Sequence, residues 1–240
     1  MKYLAVLLVA VACGCASTTP VIPQTTEPPT RVGDARLAAT VRFLASDEML
    51  GRRAGTPEAE IAARYIAEQF RAAGVQPVPG AEDGYFQVVP LPDGGTSRNV
   101  LGLVTGSDPA LRDEVVVLTA HYDGLGASMG QRGATAADSV FNGARDNGMG
   151  VAALIAAARD LAESPPARSV LLFAPAAEEL GLVGSRYYVE NPLVPLRETV
   201  FVLNTDGAGY SDTSVIGLIG QDRTGVGSLV EAGAAAAGLG

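Results

Sequence analysis

Apolar residues follow two rhythms along this chain. Val115–Thr119 and residues 169–173, 199–203 and 215–219 are short runs, apolar or β-branched with almost no polar alternation. Such runs read as strands buried on both faces, and the first is expected in the middle of a sheet. Between them the period is helical. Leu37, Val41 and Leu44 mark one face of a helix over residues 31–46. Thr56 caps a second helix that Pro57 opens, with Glu58 and Glu60 in its first turn; it runs to Ala73 and stops at Gly74. Residues 151–161 are Ala-rich and apolar, a third helix ended by Ser164-Pro165-Pro166, and residues 181–190 suit a fourth that stops at Asn191-Pro192. Residues 85–91 and 99–104 read as two more strands, an antiparallel edge joined through Pro92-Asp93-Gly94-Gly95. Residues 227–240 are an Ala/Gly-rich helical segment that stops without a cap or a final strand, which reads as a fold cut short. Strands alternate with helices and no fixed period recurs, so the class is α/β with a largely parallel central sheet.

Composition narrows the partners. With 240 residues and 48% hydrophobic content the chain supports one sizeable core, expected over residues 31–240. A formal net charge of −9 argues against nucleic acid or an anionic membrane surface and tolerates metal cations. Both cysteines, Cys13 and Cys15, lie before the expected domain, so a metal there must be held by nitrogen and oxygen. Lys2 and the apolar run over residues 3–12 read as a secretory signal ending by residue 15, too short to span a membrane. Ala10-Val11-Ala12-Cys13 resembles a bacterial lipobox, which makes Cys13 a candidate lipid anchor and the protein an exported periplasmic or cell-envelope lipoprotein; ordinary A-x-A cleavage and secretion is the alternative. Residues 16–30, rich in Ser, Thr and Pro, read as an unstructured tether. Arg52 and Arg53, in the turn over residues 51–55, read as solvated or salt-bridged, with substrate contact as the other reading. The Gly/Ala/Ser-rich stretch over residues 124–144 is too long for a mere connector.

Candidate chemistry gathers where the strands end. His121, the one histidine of the chain, follows Val115–Thr119 and is followed in turn by Asp123. Glu178-Glu179 follow residues 169–173, Asp206 follows residues 199–203, and Asp146 precedes the third helix. Taken singly, Asp146 reads as a helix cap, Asp206 as a turn carboxylate and His121 as a hydrogen-bonded core histidine. At one sheet edge these carboxylates would repel one another unless a cation lay between them, and the imidazole favours Zn²⁺ or Mn²⁺ over Ca²⁺. One member of the Glu178-Glu179 pair can bind metal while the other serves as base, which is the equipment of a hydrolase. Asp123, two residues after His121 in an extended segment, points to the same side and can accept the other ring N–H.

His121-Tyr122-Asp123, Asn142-Gly143-Ala144-Arg145-Asp146-Asn147, Glu178-Glu179 and Asn204-Thr205-Asp206, in this order and spacing, resemble the secreted co-catalytic zinc aminopeptidases, metallopeptidase family twenty-eight. The likeness also takes in residues 51–74 and 184–188. It implies a three-layer αβα sandwich over a mixed, mostly parallel sheet, incomplete at the C-terminus. It further implies one zinc on His121, Asp146 and Asp206, a second on Asp146 and Glu179, Glu178 as general base, Asp123 as partner of the histidine, and a cis peptide between Asp146 and Asn147. The family's second zinc takes a further histidine, and none follows His121 here, so the first site is expected to hold metal better. Arg145 stands where the family often has an acidic residue. The implied reaction is removal of N-terminal residues from peptides. Alternatives on the same scaffold are a glutaminyl cyclase-like acyltransferase with one zinc and a non-catalytic binding module or inactive fragment.

Overall fold

The computed structural model describes residues 34–127, 138–207, 217, 219–220 and 224–238. The expected signal and tether lie outside the described residues, as does most of the expected strand over 215–219. The helices are α1 (Asp34–Leu44), α2 (Pro57–Ala72), α3 (Met149–Glu163), α4 (Val183–Glu190) and α5 (Gly227–Ala236). The strands are β1 (Phe86–Pro90), β2 (Thr96–Val104), β3 (Val115–Thr119), β4 (Gly126–Ala127), β5 (Val140–Phe141), β6 (Ser169–Ala174) and β7 (Thr199–Asn204). Local chemistry sets the boundaries: the Thr56 hydroxyl accepts from the Ala59 amide at 3.3 Å at the start of α2, and Gly74, at φ +80, follows its end.

Five strands form one mixed sheet in the order β1-β2-β6-β3-β7. β3 runs parallel to both β6 and β7, whereas β2 is antiparallel to both β1 and β6, the antiparallel edge anticipated from the turn residues between β1 and β2. The centre of the sheet is β6 rather than β3. All six residues of β6 are buried; Val116, Leu118 and Thr119 of β3 are only half-buried. The physical reason is position: among the described strands β6 has two on one side and two on the other, while β3 has only β7 beyond it.

Helices cover the sheet on both faces, which makes the three layers. Val170, Leu172 and Ala174 pack with Ile66 and Phe70 of α2 and Leu154 and Ile155 of α3. Leu171 and Phe173, pointing the other way, pack with Val117 of β3 and Tyr188 of α4, whose ring lies 4.9 Å from that of Phe173. Parallel β3, β6 and β7 therefore bring their C-terminal ends to one edge, the edge at which open α/β sheets bind ligands.

The long stretch after β3 is not a free loop throughout. Its described ends pair as a two-stranded ribbon, Gly126 opposite Phe141 and Ala127 opposite Val140, and residues 128–137 lie outside the described residues. The ribbon returns the chain to the sheet edge just ahead of Asp146.

Candidate metal centre and active site

His121 leaves β3 into a buried position, 2% exposed. Its Nε2 faces the carboxylate oxygens of Asp146 at 3.1 Å, Asp206 at 3.3 Å and Glu178 at 4.0 Å. Ligand atoms of His121, Asp146 and Asp206 all lie within 4.8 Å of one another, the group among the described residues with the spacing of a metal site. Burial alone would drive the proton off His121; the carboxylates of Asp123, Asp206 and Glu178 outweigh it and raise the imidazole to about 9. Burial, with Asp206, Asp123 and Asp146, raises Glu178 against the opposing pull of His121. Burial and then Asp146 raise Glu179 to about 6. Glu179 does not join the trio, although Asp146 acts on it more strongly than any other charge.

Each ligand is held by backbone that other residues fix. Asp206 follows β7, and the Thr205 amide donates to Thr119 O at 2.9 Å, continuing the β3–β7 ladder one step beyond its last pair. Asn147, fully buried, donates from Nδ2 to Thr205 O at 2.8 Å and accepts the Gly150 amide at 3.2 Å, so the residue beside Asp146 also steadies Asp206. The Asp146–Asn147 peptide is cis, as the motif likeness implied.

Asp123 is buried and does more than sequence spacing suggested. Its Oδ1 stands 3.7 Å from His121 Nδ1, beyond a hydrogen bond, and His121 Nδ1 has no hydrogen-bond partner among the described residues. The two Asp123 oxygens instead accept the amides of Glu178, at 3.0 Å, and Glu179, at 3.3 Å. One carboxylate thus aligns the pair of glutamates and presents negative charge to the back of the imidazole.

Sequence reasoning passed over Asn99 of β2. It is fully buried, donates from Nδ2 to Gln87 Oε1 at 3.0 Å and Gly184 O at 2.9 Å, and accepts the Ala176 amide at 3.0 Å. It pins the loop carrying Glu178 and Glu179 to the start of α4. The available signal was an amide side chain inside an apolar run, where an unpartnered one would be costly. Arg52 departs from the reading as a solvated or salt-bridged turn arginine: it is not ion-paired among the described residues and is 0% exposed.

The donors fit zinc: one imidazole nitrogen and two carboxylate oxygens converge, and an imidazole buried against several carboxylates is relieved by a cation between them. His121, Glu178 and Asp206 also line an apolar cleft of about 270 Å³, walled by Val117, Phe173, Leu182, Tyr188, Leu196 and Val202.

Comparison with known proteins identifies the family. The profile of Peptidase family M28 matches residues 99–238. The vacuolar membrane protease of Candida albicans is 32% identical over 120 residues, half of this chain and 12% of that protein; aminopeptidase YwaD of Bacillus subtilis is 33% identical over 96 residues, 40% of this chain and 18% of its own. The chain therefore spans only a minor part of those relatives. Among solved structures, a Zn-dependent exopeptidase from Parabacteroides distasonis superimposes with a TM-score of 0.65 at 20% identity, covering 85% of this chain and 71% of that one. A glutaminyl cyclase from Bacteroides thetaiotaomicron does so with a TM-score of 0.60 at 19% identity, covering 82% and 69%. These likenesses show the same fold, and the profile match over more than half of the chain settles its kinship: this chain belongs to peptidase family M28.

Proposed function

We propose that the chain carries the catalytic site of a zinc-dependent exopeptidase that removes N-terminal residues from peptides, with Glu178 as general base. The supporting observation is the placement of Glu178: its Oε2 reaches 4.0 Å from His121 Nε2 while His121, Asp146 and Asp206 form the ligand trio without it. The trio would hold zinc, and zinc would supply Lewis acidity, acidifying a water and polarising the scissile carbonyl. Glu178 accepts the proton of the attacking water on its carboxylate and returns it to the departing amine. Asp123 holds both glutamate amides, so the base keeps its place while the proton moves. Asp146 and Glu179 would hold a second zinc, as the motif likeness implies.

The cleft is apolar, so an aminoacyl chromogenic substrate with a leucyl side chain is the probe that fits it. Glu178→Gln should lower turnover by about 10²–10⁴-fold with zinc content unchanged; undiminished turnover removes Glu178 from the reaction. Glutaminyl cyclisation is separated by the product of an N-terminal glutamine peptide. Free glutamine supports the peptidase; pyroglutamyl peptide with ammonia supports the cyclase.

A further inference from the structure

Arg52 heads the fully buried side chains of the described residues by size. It follows Leu50 and Gly51, and all three have positive φ, at +50, +41 and +68 respectively. The segment is wedged in place: a Cβ on Gly51 would lie 2.6 Å from Phe141 O and 2.7 Å from Gly126 O, so only glycine passes the β4–β5 ribbon there. Three consecutive left-handed residues, two of them non-glycine, are a strained arrangement that the surroundings must hold.

The guanidinium does the holding. Nε donates to Tyr122 O at 2.9 Å, Nη1 to Leu44 O and to Asn142 O at 2.7 Å, and Nη2 to Gly143 O at 3.0 Å. Arg52 O in turn accepts the Gly124 amide at 3.2 Å. All these side-chain acceptors are backbone carbonyls, on three separate stretches of chain. Tyr122 adjoins His121. Gly143 lies three residues before Asp146 and also accepts the Gly148 amide at 3.0 Å, closing the turn that presents Asp146. One rigid fork therefore spans the two segments that supply His121 and Asp146. Lysine cannot reproduce this, because its donors all sit on one atom, whereas the guanidinium points them in several fixed directions.

We propose that Arg52 is a positioning residue for the metal centre: it sets the separation of His121 and Asp146, and with it the affinity and geometry of zinc binding, without touching metal or substrate. The inference rests on the metal-site reading above. Burial lowers the Arg52 pKa to about 10, opposed by Asp123 and Asp146, so the fork remains charged at neutral pH.

The test is zinc affinity of the full chain, by competition with a chromophoric chelator, together with the visible spectrum of the Co²⁺-loaded protein as a readout of ligand geometry. Arg52→Lys, folded by circular dichroism, should bind zinc about 10–100-fold more weakly and show a shifted Co²⁺ spectrum. Zinc affinity within twofold of the parent and an unchanged spectrum would overturn the proposal. Should Arg52→Lys be poorly folded, the titration is repeated in sucrose, which favours the compact state; a variant unfolded even there makes Arg52 a requirement of the fold and also overturns the proposal. His121→Ala is the control for the underlying reading. If it binds zinc like the parent, the metal site itself is misassigned and the Arg52 role falls with it; if it loses zinc while Arg52→Lys does not, only the Arg52 role fails.

Discussion

His121 keeps its proton in the metal-free protein well above neutrality, because Asp123, Asp206 and Glu178 together outweigh burial and raise it to about 9. The sign of the consequence for metal follows directly. Zinc needs the neutral ring, so below pH 9 each zinc bound at the trio must displace one proton, and affinity rises by about tenfold per pH unit until it levels near pH 9. Titration calorimetry in buffers of different ionisation enthalpy at pH 7.5 should read close to one proton released per tightly bound zinc, with one tight equivalent per chain. No proton release, or two equally tight equivalents, would remove this account. At the same scale, His121, Asp146, Asp206, Glu178 and Glu179 were visible from sequence because each follows a strand or precedes a helix. Arg52 was not. A side chain whose partners are all main-chain carbonyls leaves no complementary residue to find, and its burial depends on α1, β3 and the ribbon meeting at one point.

Among the elements, β2 shows how a strand far from the chemistry supports it. Asn99 bonds the amide of Ala176, the carbonyl of Gly184 and the amide oxygen of Gln87 at once. Gly184 packs so closely there that a Cβ would lie 2.3 Å from both Ala176 O and Asn99 Oδ1. Asn99→Ala strips partners from buried groups at about 1–3 kcal/mol for each group left unsatisfied. Urea unfolding should show the midpoint falling with the slope unchanged; a midpoint equal to that of the parent would mean that the amide network contributes nothing. The elements themselves were largely legible. Thr56-Pro57 and Gly74 bounded α2, and the apolar runs located β3, β6 and β7. What pattern could not rank was centrality, since Val115–Thr119 and Ser169–Ala174 look alike as runs and differ only in how many strands flank them.

At the scale of the whole molecule, the described strands of the sheet have a firm side and an open side. β7 pairs with β3 alone among the described strands, and Val200, Val202 and Leu203 are exposed. Its C-terminal end nevertheless delivers Asp206, a ligand of the trio. A zinc ion held jointly by His121 and Asp206 would cross-link the ends of two neighbouring strands, so that opening of β7 would require loss of the metal. Binding energy then becomes protection against local opening. At free zinc one hundred times its dissociation constant this amounts to about 2.7 kcal/mol, or about a hundredfold slowing of amide hydrogen exchange along Thr199–Asn204, with β1 little affected. Equal exchange rates in β7 with and without zinc would separate the strand from the metal. β7, outermost of the described strands, would then owe its persistence to an ion at its tip, and its opening rate would report how much free zinc surrounds the protein.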